Sequence, residues 1–143
     1  MARIKIEITE HFIATCHIPV RITDINYGNH VGNDSFVAIL HDARVQWLKQ
    51  YGYTELDLDG IGLIMSDLVL DFRNEAFYGD VLEINIAAGE LTRVSFDLLY
   101  RVQTLRNKET IVLAHAKTGM VCYDYSLKKV TGIPESIIKL LTI

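Results

Sequence analysis

The residues best suited to chemistry lie together in one run, Asp24-Ile25-Asn26-Tyr27-Gly28-Asn29-His30-Val31-Gly32-Asn33-Asp34. It holds one imidazole, two carboxylates, three amides and two glycines. Asp24 or His30 can take a proton from a water molecule, and Asn26 can orient that water by hydrogen bonding. Gly28 and Gly32 let backbone approach a ligand closely. The run ends where a helix is predicted to start. Helix N-termini present unpaired N–H groups with a partial positive charge, which polarise a carbonyl or hold an oxyanion. Gly32, Asn33 and Asp34 are therefore the expected substrate-binding positions. On composition alone the same run also reads as a turn rich in Asx caps with a solvated histidine.

A helix and several strands must position this run. From Phe36, apolar residues recur at Ile39, Leu40, Ala43, Trp47 and Leu48, the stripe of an amphipathic helix. Asn33, Asp34 or Ser35 can cap its start, and Gly52 stands where a C-cap belongs. Period-2 alternation marks strands elsewhere: Ile4, Ile6 and Ile8, then Phe12 to Ile18, and Val94, Phe96, Leu98, Tyr100 and Val102. Leu63 to Phe72, Val81 to Glu90 and Thr110 to Tyr123 are also predicted strands. The polar breaks at Gly89 to Thr92 and Arg106-Asn107-Lys108 are short enough for an antiparallel meander. Pro134 to Leu141 reads as a short terminal helix. One long helix among serial strands predicts an α+β domain, with the helix packed on one face of an antiparallel sheet.

The chain has 143 residues, enough for one domain spanning 1–143. Half of it is hydrophobic, 22% is charged, and the mean hydropathy is +0.19. That is more apolar material than one small core needs, so some of it is expected to lie outside the core of a single chain. A net charge of −4 gives no footprint for nucleic acid. No apolar run approaches the length of a membrane span, and the start of the chain does not resemble a secretory signal. Cys16 and Cys122 lie far apart without metal-ligand spacing, so free thiols in a cytoplasmic protein are expected.

Other titratable groups carry weaker signals. His41 on the helix and His115 in a strand read as packed or surface side chains, and His11 and His17 show no useful spacing. Asp67, a carboxylate in an apolar strand, needs a partner or an exposed edge, and is a candidate second acid across a subunit interface. No His, Asp or Glu set has metal-ligand spacing, so no metal is assigned. His17 beside Cys16 would face the other side of its strand, which disfavours a covalent cysteine mechanism. Arg93, Arg101, Arg106, Lys108, Lys117, Lys128 and Lys129 could meet phosphates or form a scattered charged surface.

The run Arg21 to Asn33, followed by the helix with Ala43-Arg44, resembles the hotdog-fold thioesterases. The likeness is to the branch spanning the 4-hydroxybenzoyl-CoA thioesterase family and the acyl-ACP thioesterases. Their pattern before the central helix is of the type Asp-x-Asp-x-x-x-His-Val-Asn-Asn. A second stretch, Leu70 to Leu82, resembles the family's aromatic, then Ala-x-Tyr-Gly-Asp-x-Leu. Aligned without gaps, Asp24, His30, Val31 and Asn33 agree, and Asn26 stands where the family's usual catalytic Asp belongs. A two-residue slip instead puts Asp24 at the Asp position. The helix acid often found in the family corresponds to Asp42, with His41 equally near. The resemblance implies a hotdog fold, an obligate homodimer or a homotetramer, and hydrolysis of acyl-CoA or acyl-ACP thioesters. CoA or carrier protein enters as part of the substrate, with no separate cofactor. Two rival functions stay open: a hotdog hydroxyacyl dehydratase, and a non-catalytic binder of acyl thioesters.

Overall fold

The computed structural model describes residues 3–143. Strand β1 (Ala14–Pro19) leads through a 3-10 turn (Ile22–Asp24) to helix α1 (Asn33–Lys49). Strands β2 (Gly62–Phe72), β3 (Val81–Leu91), β4 (Ser95–Arg106) and β5 (Glu109–Asp124) follow. The short β6 (Lys129–Val130) and helix α2 (Glu135–Leu141) complete the chain. All pairings are antiparallel, in the order β1-β3-β4-β5-β2, with β6 added to β5. The β3-β4-β5 meander and the helix-on-sheet layer agree with the sequence reading, and the architecture is that of a hotdog domain.

Alternation decides which face of the sheet meets the helix. On β4, Phe96, Leu98, Tyr100, Val102 and Thr104 are buried, while Ser95, Asp97, Leu99, Arg101 and Gln103 lie on the wetter face. The inward side chains join Leu82, Ile84 and Ile86 of β3 against Phe36, Ile39, Leu40, Ala43, Trp47 and Leu48 of α1. This core gives α1 its place, since a helix on its own would be marginal.

The outer face carries one polar row across five strands. Thr15, Asn85, Arg101, His115 and Asp71 are successive cross-strand partners. Asn85 donates to Thr15 (3.0 Å) and accepts from Arg101 (3.3 Å). The expected strand over Ile4–Ile8 is not present; Ala2, where that alternation begins, lies outside the described residues. The segment crosses the sheet's outer face instead of running beside a strand, held by side chains. Arg3 pairs with Asp71 (3.0 Å) and Glu10 with Arg101 (3.0 Å), and Phe12 lies under the Arg101 guanidinium, 4.7 Å from its ring centroid.

His115 is caught beneath this crossing, with its Nδ1 buried and unpartnered among the described residues. Burial, then the nearby Arg73 charge, holds its imidazole below the ordinary histidine range. A depressed folded-state pKa means the folded protein resists protonation that the unfolded chain accepts near pH 6.5. Stability from this source is complete above that pH and is lost as pH falls through the folded value. His115→Gln is therefore expected to flatten the decline of Tm between about pH 7 and 5. An unchanged slope in thermal melts across that range would contradict the assignment.

No helix among the described residues is long and apolar enough to cross a membrane. Both cysteines are free, and burial pushes each thiol up to about 11, with Asp42 adding to the effect at Cys16. Neither is a thiolate near neutral pH, so neither offers a ready nucleophile.

Candidate active site

The strand order dictates where a site can form. Because β3 pairs with β4 and not with β2, residues 73–80 must cross the end of the sheet. That crossing runs past the start of α1, where the Val31 N–H donates to the Ala76 carbonyl (2.8 Å). The side chain of Asp80 fixes the turn by accepting from the Phe77 N–H (2.8 Å) and pairing with Arg106 (2.5 Å). Arg106 also donates to the Glu75 carbonyl (2.8 Å) and covers the Phe77 ring at 4.9 Å. Its hydrogen bond, followed by that from Phe77, holds the Asp80 carboxyl below the usual carboxylate range.

Between the crossing and the loop before α1 lies a cavity of about 860 Å³. Asn26, His30, Asn33 and Asp34 line it from one side, and Phe72, Arg73, Asn74 and Glu75 from the other. A second cavity of about 410 Å³ runs between α1 and β2, past Val37, Ala38, Leu40, Met65 and Leu68, to His41, Arg44 and Glu55.

Glycines shape the first cavity. A Cβ on Gly28 would stand 3.1 Å from His30 Nε2. One on Gly32 would stand 2.6 Å from an Asp34 carboxylate oxygen and 3.7 Å from Asn26 Nδ2. The space left by Gly32 thus lies between a carboxylate and an amide. Asn26 Oδ1 accepts from the Gly28 N–H (2.8 Å), which leaves its NH₂ as the free end. His30 Nδ1 lies 3.2 Å from the Val31 carbonyl; with the proton on Nδ1, Nε2 is the acceptor, 3.9 Å from Glu75.

The helix start differs from the expected side-chain cap. Gly32 is the N-cap, in an extended conformation, and Asn33 and Asp34 are the first helical residues. Asn33 Oδ1 accepts from the Asp34 N–H (2.8 Å), and the Gly32 N–H donates to the Asp24 carbonyl (3.1 Å). Two of the three expected amides are therefore engaged. Among the described residues, the N–H groups of Asn33 and Ser35 have no hydrogen-bond partner.

Of the residues singled out in the sequence, Asn26, His30, Asn33 and Asp34 meet in this cavity, and Gly32 packs behind Asn26 and Asp34 without lining it. Asp24 does not join them. It is buried, and its carboxylate accepts from the Arg21 N–H (2.9 Å) and guanidinium (3.2 Å), closing the 3-10 turn. Asp42 is exposed and accepts from Gln46. His41 lies 2.5 Å from Glu55. Asp67 sits at a bulge on β2, paired with Lys117 (2.9 Å), whose hydrogen bond is first among the causes that hold its carboxyl below the usual range. Reading the motifs one at a time misses Arg73, Asn74 and Glu75 as wall residues. The signal was in the second motif, whose role is to carry the crossing over the helix start. Among the described residues, no three His, Cys, Asp or Glu side chains cluster as a metal ion would need.

A family model described as the thioesterase-like superfamily matches residues 20–141. The chain belongs to that superfamily. This thioesterase-like chain is accordingly a thioester hydrolase by class. A candidate esterase of Aquifex aeolicus strain VF5 is 25% identical to it over 113 residues, covering 78% of this chain and 84% of that protein. A 1,4-dihydroxy-2-naphthoyl-CoA thioesterase from Synechocystis superposes with a TM-score of 0.79 at 21% identity, covering 90% of this chain and 94% of its own. 4-Hydroxybenzoyl-CoA thioesterase from Pseudomonas sp. strain CBS-3 gives 0.77 at 20% identity, covering 89% and 97%. At these identities the two structures speak for the shared hotdog fold.

Proposed function

We propose that the chain hydrolyses acyl-CoA or acyl-carrier-protein thioesters to a free acid and a thiol, at the start of α1. The supporting observation is the meeting, in one cavity, of Asn33, whose backbone N–H has no partner among the described residues, with the Asn26 amide and two proton acceptors, His30 and Asp34. A thioester needs little more. Its thiolate leaves readily, so the enzyme's task is to orient and activate a water and to hold the developing oxyanion. The Asn33 N–H stands at the N-terminus of α1, where the helix favours negative charge. The Asn26 NH₂ orients the water, and His30 and Asp34 are the groups able to take its proton. Arg73 is the cation in the cavity wall and suits a phosphate of the thiol arm. The apolar-sided second cavity suits the acyl group.

The working unit in this reading is a homodimer. Strand β2 ends the sheet order, so its 11-residue outer edge has no partner strand among the described residues. Unpaired edges of that length invite another strand. Met65 and Phe72 are exposed on β2, and each also lines a cavity. Pairing two such edges would cover apolar surface and complete the walls of both cavities. A well-folded monomer at micromolar concentration in sedimentation would overturn the dimer.

Free-thiol release from a panel of aliphatic and aromatic acyl-CoAs tests the reaction. Steady multiple turnover is the expected result. Stoichiometric binding without thiol release would replace hydrolysis by the binding function.

A further inference from the structure

We infer that Asp34 is the base that activates the attacking water, and that Gly32 is glycine to make room for it. The inference rests on the proposed hydrolysis and names the group that performs its central step. Asp34 lines both cavities and is the one residue that does. A substrate with its thiol arm in the first cavity and its acyl group in the second would put the thioester carbon beside the residue that both share. Asp34 is that residue, in the first turn of α1, next to Asn33, whose N–H has no partner among the described residues.

The other candidates are placed less well. Asp24 is buried against Arg21 and outside both cavity walls. Asn26 stands near the Gly32 space as an amide, which donates to water and takes no proton. His30 stands over Gly28, with Glu75 as its neighbour, and lines the first cavity alone. The Asp34 carboxylate has no hydrogen-bond or ion-pair partner among the described residues, so its oxygens are free to accept from water. The carboxylate packs against the Gly32 Cα, where a Cβ would meet it at 2.6 Å, and the Asn26 NH₂ lies 3.7 Å from the same point.

The step balances without a cofactor. The water oxygen forms a bond to the thioester carbon, its proton passes to Asp34, and the carbonyl π pair moves to oxygen. As C=O reforms, the C–S bond breaks and sulfur leaves with the electron pair. The proton on Asp34 then passes to the thiolate, giving acid and thiol and restoring the carboxylate.

Asp34→Asn keeps the shape and removes the base; it lies on an exposed first turn, so the fold is expected to hold. Thiol release by wild type, Asp34→Asn and His30→Gln is measured against pH, with affinity for a non-hydrolysable thioether analogue of an acyl-CoA. For Asp34→Asn, kcat is expected to fall about 10²–10⁴-fold, with the acid limb of its pH profile lost and analogue affinity retained. A purely structural role would weaken analogue binding as well. Activity of Asp34→Asn within about tenfold of wild type would overturn the assignment. A wild type that turns over no thioester would instead overturn the proposed hydrolysis, and this inference with it.

Discussion

Gly32→Ala is expected to lower kcat about 10²-fold, the scale of a reacting group misplaced by roughly 1 Å. The added methyl would stand 2.6 Å from an Asp34 carboxylate oxygen, closer than such atoms approach. Backbone conformation is not the obstacle, since Gly32 has φ −72° and ψ 156°, which alanine adopts freely. The obstruction is the far end of an exposed side chain, so the carboxylate gives way and the fold does not. The methyl also stands 3.4 Å from Asn26 Cβ, so it crowds the carboxylate and the amide together. The expected signature is a large loss of kcat with an almost unchanged melting temperature. Gly28→Ala provides the control, because its methyl meets His30 Nε2 at 3.1 Å and leaves Asp34 alone. Steady-state thiol release from both variants ranks the two groups. If Gly28→Ala proves the more damaging, the base is His30.

The largest effect on stability is expected at Arg44, where truncation to alanine should cost about 3–5 kcal/mol. Arg44 is 5% exposed on the buried side of α1. It donates to the Tyr100 hydroxyl (3.3 Å) and to Glu55 (3.3 Å). Tyr100 is fully buried and shares a 2.6 Å hydrogen bond with Thr118, while Glu55 also meets His41. The network thus joins α1, β4, β5 and the segment after the helix. Removing the guanidinium leaves a mostly buried carboxylate beside a histidine and takes a donor from a buried phenol. Replacing both charges, as in Arg44→Met with Glu55→Gln, is expected to cost less than the two single changes added together. Denaturant unfolding of the single and double variants measures this coupling. Additive losses would show that the groups act independently.

Much of the architecture was legible in the sequence because its signals are local and repetitive. Phe96, Leu98, Tyr100 and Val102 alternate, and Phe36, Ile39, Leu40, Ala43 and Trp47 recur with the helix period. Either periodicity commits a segment to one buried face. The same rule failed at Ile4, Ile6 and Ile8, because alternation cannot say whether a segment lies beside a strand or across the sheet. Its position is set by Asp71 and Arg101, far along the chain.

The sequence also singled out the run that forms one wall of the first cavity. Asn26, His30, Asn33 and Asp34 are close in sequence, so a loop of this length must keep them close in space. What it could not order was their roles. Asp24 and Asp34 are the same residue type in the same run, and only tertiary structure separates them. A 3-10 turn buries the first against Arg21, while the helix start presents the second to both cavities. The far wall, Arg73 to Glu75, arrives because β3 pairs with β4 and the chain must cross the sheet's end. Such long-range pairing depends on how whole faces of the sheet and helix pack together, information that no local spacing contains.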